Sequence, residues 1–393
     1  MSTLFEPITL RGVTIKNRIA VSPMSQYRAK DGYANAWHIV HLGRFALGGA
    51  GLVFAEATAV EERGLRTPGD LGLWTDDHIE PLLPVTDFLA REGAVPGIQL
   101  GHAGRKASER RPWHGETPVT DEDIALRGEA PWTTIAPSAL PYDEGWPEPA
   151  AMTEDDMAAV ITAFGDAARR AADAGFRVID VYAGHGFLIH QFLSPLANVR
   201  TDRWGGDAAG RRRFAVEVAR SIRRQWPDDL PLIFRLSATD WIDGGIEAED
   251  TVETARALAE EGVDMIDCTT GGIGGRQRPK RMKLEQGFQI PFAERVRAET
   301  GVATMGVGFL WDADVCDAAI AEGKVDMIAI GRELLDNPNW PLHAAAQLGD
   351  DEDYALWPQE SGWWLNRRNR LVKKLGLRDQ SGSARLAGDA EWL

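Results

Sequence analysis

Eight short apolar runs rich in Val and Ile recur along the chain, and they constrain its fold more than any other feature. They are "RIAVS" (18–22), "AGLVFAEA" (50–57), "VPGIQL" (95–100), "FRVIDVY" (176–182), "PLIFRLS" (231–237), "DMIDCT" (264–269), "VATMGVG" (302–308) and "VDMIAIG" (325–331). Between them lie segments of helical periodicity, clearest at 153–175 and 249–262, where apolar residues return every three or four positions. The first opens with Thr153 and Asp156 in a capping-box spacing and closes on Gly175. Strands this uniformly apolar have no wet face and must be covered on both sides. Strand and helix alternating eight times predicts an α/β protein built as a (β/α)8 TIM barrel. A doubly wound open sheet is the rival that satisfies the same alternation.

Two regions fall outside the repeat. Residues 103–150 form a long excursion after the third strand, with three tryptophans and several prolines, which predicts a functional loop or a small hairpin. From Gly349 the tail turns from acidic to "ESGWWLNRRNRLVKKLG". The expected organisation is one barrel domain over 1–348 and a C-terminal arm over 349–393.

Composition excludes several function classes. A net charge of −16 leaves no basic stripe for nucleic acid. Cys268 and Cys316, the only cysteines, stand far apart, which speaks against a disulfide framework, a thiolate zinc site or an iron–sulfur cluster, and no metal is expected. A redox role therefore needs an organic cofactor. No apolar run reaches the ~18 residues of a membrane span, and "MSTLFEPITL" lacks signal-peptide character, so a soluble cytoplasmic protein acting on a small molecule is expected.

In a barrel the active site lies where the strands end. Those positions carry Pro23, Met24 and Ser25, then Ala57, Gln99, Tyr182, His185 and Arg235. After the seventh and eighth runs come "MGVGF" and "IGREL", so Gly306, Val307, Gly308, Gly331 and Arg332 form either plain tight turns or a phosphate pocket of backbone N–H groups. Arg235, inside an apolar strand, needs an anion facing it: a structural carboxylate, or an electron-rich ligand edge such as the N1–O2 side of a reduced flavin, with Gln99 at its pyrimidine edge.

Over almost its whole length the sequence resembles the old yellow enzymes, FMN-dependent barrel oxidoreductases, in their thermophilic-like bacterial branch. The resemblance rests on "LFEPITLRGVTIKNRIAVSPMSQY", "WHIVHLGRFALGGAGLVFAEATAV", "GIQLGHAGRKAS", "YAGHGFLIHQFLSP", "NVRTDRWGG", "RLSATDW" and "AIGRELLDNPNWPLHAA". It implies FMN held by Pro23, Met24, Ser25, Ala57, Gln99, Arg235 and the turns at Gly306–Val307–Gly308 and Gly331–Arg332, with NADPH or NADH as hydride donor. It implies a substrate pocket containing Tyr27, and Tyr182 with His185 as the pair of donors that grips the activating oxygen of a conjugated alkene. It also implies a homodimer or dimer-built tetramer in which Trp364 from a neighbouring arm completes the pocket.

Three positions depart from the family pattern. Ser25 replaces a redox-tuning cysteine, Tyr182 replaces the first clamp histidine as in amine-oxidising relatives, and Phe187 replaces the tyrosine that protonates the α-carbon. Without that hydroxyl the proton must come from water or from another hydroxyl such as that of Tyr27. Three readings follow. One is an NAD(P)H-dependent reductase of activated C=C bonds. Another is an enzyme that takes hydride from its substrate, an amine or a saturated carbonyl compound. In the third, "GGRQRPKR" (274–281), with Arg276, Arg278, Lys280 and Arg281, holds an anionic group such as a coenzyme A thioester; a solvated loop accounts for it equally well.

Overall fold

All eight apolar runs are strands, and they close on themselves. In the computed structural model, which describes residues 1–275 and 284–376, the barrel strands are β1 (Ile19–Val21), β2 (Leu52–Ala59), β3 (Val95–Gly101), β4 (Val178–Ala183), β5 (Leu232–Ser237), β6 (Met265–Thr269), β7 (Ala303–Gly306) and β8 (Met327–Ile330). Each pairs in parallel with its sequence neighbours. The last pairs with the first through Ile328↔Ile19, Ala329↔Ala20 and Ile330↔Val21, which rules out an open sheet. Nearly every strand residue is buried, as expected when one face fills the barrel and the other meets helices.

A helix follows each strand: α1 (Ala36–Leu47), α2 (Leu83–Arg91), α3 (Glu154–Asp173), α4 (Ala208–Gln225), α5 (Ala248–Glu260), α6 (Ile290–Thr300), α7 (Ala313–Ala321) and α8 (Trp340–Gln347). The local chemistry is clearest in α3. Thr153 Oγ1 accepts from the Asp156 N–H at 3.1 Å while Asp156 accepts from the Thr153 N–H at 3.0 Å, so the capping box forms. Met157, Val160, Phe164, Ala167, Ala168 and Ala171 turn one stripe inward, each large side chain contributing roughly 1.5–3 kcal/mol of apolar burial. Gly175, at φ +85°, then turns the chain toward β4.

The N-terminal hairpin (Ile8–Leu10 with Val13–Ile15) closes the end of the barrel where the strands begin. Its Gly12 N–H donates to the Asp229 carbonyl at 2.8 Å and Arg11 Nε to Asp264 Oδ1 at 2.6 Å, both just ahead of β5 and β6. The other end is left for the site. There the 103–150 excursion carries a short helix (Asp121–Arg127) and, in place of an antiparallel hairpin, a two-residue parallel pairing of Ile135–Ala136 with Ala150–Ala151. The arm forms α9 (Gln359–Leu375), on which Trp363 and Trp364 are exposed.

Candidate active site

A cavity of about 710 Å³ opens at the C-terminal ends of the strands, inside the roughly 300–1,000 Å³ range of small-molecule and cofactor sites. Ser22, Met24, His185, Arg235, Thr269, Gly331 and Arg332 line it, together with apolar Val307, Leu310 and Phe288.

His185 is held in a backbone conformation that few side chains adopt, at φ +49°. Its N–H donates to Ser237 Oγ at 2.9 Å and its carbonyl accepts from Lys106 Nζ at 2.9 Å. A Cβ on Gly186 would meet the Gly272 carbonyl oxygen at 2.2 Å, and one on Gly272 would meet His185 Cα at 2.5 Å. Only glycines let the loops after β4 and β6 approach this closely, and that approach locks the imidazole over the strand ends. His185 Nδ1 lies 2.9 Å from the Tyr182 hydroxyl and Nε2 2.8 Å from Thr269 Oγ1. Burial, reinforced by the charge of Arg235, pushes the His185 pKa well below the usual histidine range, so the ring is neutral. One imidazole nitrogen therefore donates and the other accepts. Phe187 stacks on Tyr182, ring centroids 4.0 Å apart.

Inside the barrel, Arg235 sits beside two buried carboxyls. Its Nε lies 3.2 Å from Asp267 Oδ2, off hydrogen-bonding alignment, and its Nη1 donates to Ser22 Oγ at 3.1 Å. A structural carboxylate and a ligand edge were alternatives in the sequence; the guanidinium pairs with Asp267 and also borders the cavity. Asp180 Oδ2 accepts from Gln99 Nε2 at 2.7 Å, while its Oδ1 has no partner. Desolvation and the neighbouring Asp267 push the Asp180 pKa well up, and burial raises Asp267 as well, though Arg235 beside it opposes that rise, so Asp180 is the carboxyl that keeps its proton to higher pH. Gln99 thus points into this layer, not into the cavity wall.

The remaining sequence candidates divide by position. Val307, Gly308, Gly331 and Arg332 border the cavity, with the Arg332 guanidinium 5.1 Å from the centroid of Phe309. Gly308, at φ +116°, has a conformation suited to glycine. Gly306 faces the helix layer, where a Cβ would meet Ile290 Cδ1 at 2.4 Å and Val325 Cγ1 at 2.9 Å, so packing requires that glycine. Pro23, Ser25 and Tyr27 are half-buried in the stretch after β1, and Ala57 follows the irregularity that pushes buried Glu56 out of register with β3. Glu56 accepts from the Gln26 N–H and lies 3.1 Å from His38 Nε2, tying the β1 loop to α1. The Tyr27 ring meets Trp113 of the excursion edge-on, and burial lifts its pKa to about 12. Trp364 is 65 % exposed on α9, away from the cavity lining. Arg276, Arg278, Lys280 and Arg281 lie outside the described residues.

Sequence reading missed Lys106, Asp180, Thr269 and Asp267. The last three end or interrupt apolar strands at the positions that project polar atoms, which was the available signal.

Comparison with known proteins points one way. The chain is 41% identical over 364 residues to an NADPH dehydrogenase of Geobacillus thermodenitrificans, covering 92% of this chain and 99% of that one. The fold resembles a 2-naphthoyl-CoA reductase in complex with 2-naphthoyl-CoA (TM-score 0.78, 26% identity), covering 89% of this chain and 53% of that one. It also resembles a histamine dehydrogenase from Rhizobium (TM-score 0.72, 28% identity), covering 89% and 48% respectively, so the chain spans about half of each of these larger proteins. Residues 3–351, nearly the whole barrel and its closing helices, match one family model, and the chain belongs to the NADH:flavin oxidoreductase / NADH oxidase family.

Proposed function

We propose that this protein is an FMN-dependent NAD(P)H oxidoreductase that reduces a carbon–carbon double bond conjugated to a carbonyl or nitro group. The observation that carries the reading is the cavity itself, bordered on one side by the buried Arg235 and on another by His185, which is bonded to Tyr182. The residues present fit the cofactor. Arg235 offers a fixed cation suited to the electron-rich edge of an isoalloxazine, and Arg332 with the turns at Val307–Gly308 and Gly331 suits its phosphate. Pro23, Met24, Ser25 and Ala57 offer backbone groups along the strand ends, Gln99 orders the layer beneath, and Gly306 keeps the β7 turn close to α6. Bound FMN would accept hydride from the nicotinamide and release it to the substrate carbon.

The chain's own groups then do three things. Tyr182 and His185 act together on the activating oxygen: when Nδ1 of the neutral imidazole donates to the Tyr182 hydroxyl and Nε2 accepts from Thr269, the Tyr182 O–H is left to donate to the oxygen where negative charge grows. Phe187, Phe288 and Leu310 keep that bond away from water, where it is stronger. Arg235 stays charged because Asp267 faces it.

Anaerobic addition of NADPH or NADH should bleach the flavin, and a conjugated enone should restore its colour; no bleaching with either nucleotide defeats the reading. A second reading, oxidation of an amine, is favoured by Tyr182 and Phe187 and by the likeness to a histamine dehydrogenase. It requires amines to bleach the oxidised enzyme without nicotinamide.

We further propose that the protein acts in the cytoplasm as a homodimer or dimer-built tetramer in which α9 reaches a neighbouring cavity through Trp364. The exposed Trp363–Trp364 pair supports the assembly, and among the described residues no helix is long and apolar enough to cross a membrane.

A further inference from the structure

Reduction of an activated alkene ends with a proton on the α-carbon, and Phe187 stands where the family's tyrosine would supply it. We propose that Lys106 is the general acid of this enzyme, a role that rests on the reductase reading above.

Lys106 ends a single helical turn, Gly104–Lys106, directly after β3 and is only 8% exposed. Its Nζ donates to the His185 carbonyl at 2.9 Å, so it is tied to the residue that would hold the activating oxygen. The same nitrogen stands 4.9 Å from the ring centroid of Tyr142 and 5.8 Å from that of Phe187, which in turn stacks on Tyr182. The proton-bearing nitrogen thus flanks the ring whose missing hydroxyl it would replace. No carboxylate lies within ion-pair distance of Nζ among the described residues. The charged and titratable groups around it are Arg66, paired with Glu109, then Arg105, Glu116, Tyr142 and His185. Burial, with Arg66 adding to it, lowers the lysine to about 7, whereas burial lifts Tyr27 and Tyr142 to about 12. An acid is most effective near the working pH, which favours the ammonium over either phenol.

The step balances. As hydride reaches the β-carbon, the π pair moves onto the α-carbon and its activating oxygen. The α-carbon takes a proton from Nζ, a C–H bond forming as an N–H bond breaks, and the neutral amine regains a proton from water.

The test uses holoenzyme reduced with one equivalent of NADPH and mixed anaerobically with 2-cyclohexenone or with ferricyanide, which needs no carbon protonation. The ratio of the two reoxidation rates should fall on the order of 100-fold in Lys106→Met. The enone rate of the parent should decline as pH rises through about 7, and that limb should vanish in the variant. Phe187→Tyr combined with Lys106→Met should regain most of the ratio, which a merely structural lysine would not allow. In ¹⁵N spectra of lysine-labelled holoenzyme, the resonance missing from Lys106→Met should titrate near 7. An unchanged ratio and pH profile, or titration of that resonance above about 9, overturns the lysine acid alone. Absence of any enone turnover in the parent overturns the reductase reading, and the lysine acid with it.

Discussion

Two buried cations stand near His185, Arg235 bordering the cavity and Lys106 bonded to the His185 carbonyl, and they are treated in opposite ways. Arg235, inside the barrel, has Asp267 at 3.2 Å and a second carboxyl, Asp180, on the neighbouring strand. Lys106, in the turn after β3, has a carbonyl oxygen and two aromatic faces. A compensated cation stays charged at every pH the enzyme meets, and this is what a permanent electrostatic feature requires. A cation without a carboxylate partner is poised to lose its proton near neutrality, and this is what a proton donor requires. Depth alone does not decide the role; the partner does.

The largest expected effect comes from breaking the compensated cation. Arg235→Met leaves Asp267 buried without its counter-charge and should cost about 3–5 kcal/mol in denaturant unfolding, with FMN no longer retained on gel filtration. A loss below about 1 kcal/mol would mean that the guanidinium is not what balances the layer.

Lys106→Met should act in the reverse sense on stability. The folded lysine titrates at about 7, below the roughly 10.4 of an unfolded chain, so the native state binds fewer protons in that window and wild-type stability rises with pH across it. The variant should therefore be more stable than the parent at pH 6, by about 2 kcal/mol after the lost hydrogen bond is counted, and the gain should disappear by pH 10. A gain independent of pH would break the contrast with Arg235.

The two carboxyls sharpen it further. Asp180 holds its proton to higher pH when folded than when unfolded, so its contribution is fully present below about pH 4 and is lost as pH rises through its raised value. Asp180→Asn should flatten that slope and change stability near neutral pH by about 1 kcal/mol or less, while Asp267→Asn, which removes the charged partner of Arg235, should cost more. A larger loss from Asp180→Asn than from Asp267→Asn would reverse the assignment of the proton. The smallest effect belongs to Trp363→Ser with Trp364→Ser. Subunit stability should shift by less than about 0.5 kcal/mol, and sedimentation velocity should show weakened association.

The barrel was legible because its signal is local and repeated: each strand is a run of apolar residues with no wet face, and each helix shows its own period. The excursion was less legible. Its pairing of Ile135–Ala136 with Ala150–Ala151 is only two residues long and parallel, set by where the chain must re-enter α3. In the site, Tyr182, His185, Arg235 and the cavity-facing turns stand at strand ends, where the barrel rule looks for them. Gly306 stands there too, yet it serves packing against Ile290 and Val325.

The order of apolar runs and the residue types at their ends, written along one dimension, determined the strand–helix alternation, the family and the place of the site, while closure of the barrel rests on the pairing of its last strand with its first. Which charges neutralise one another was decided by the tertiary structure alone. Arg235 and Asp267 are 32 residues apart and meet through parallel strand register, and Lys106 reaches the His185 carbonyl across 79. Proton affinity depends on burial and on the nearest charges in space, and neither quantity is defined until the chain has folded.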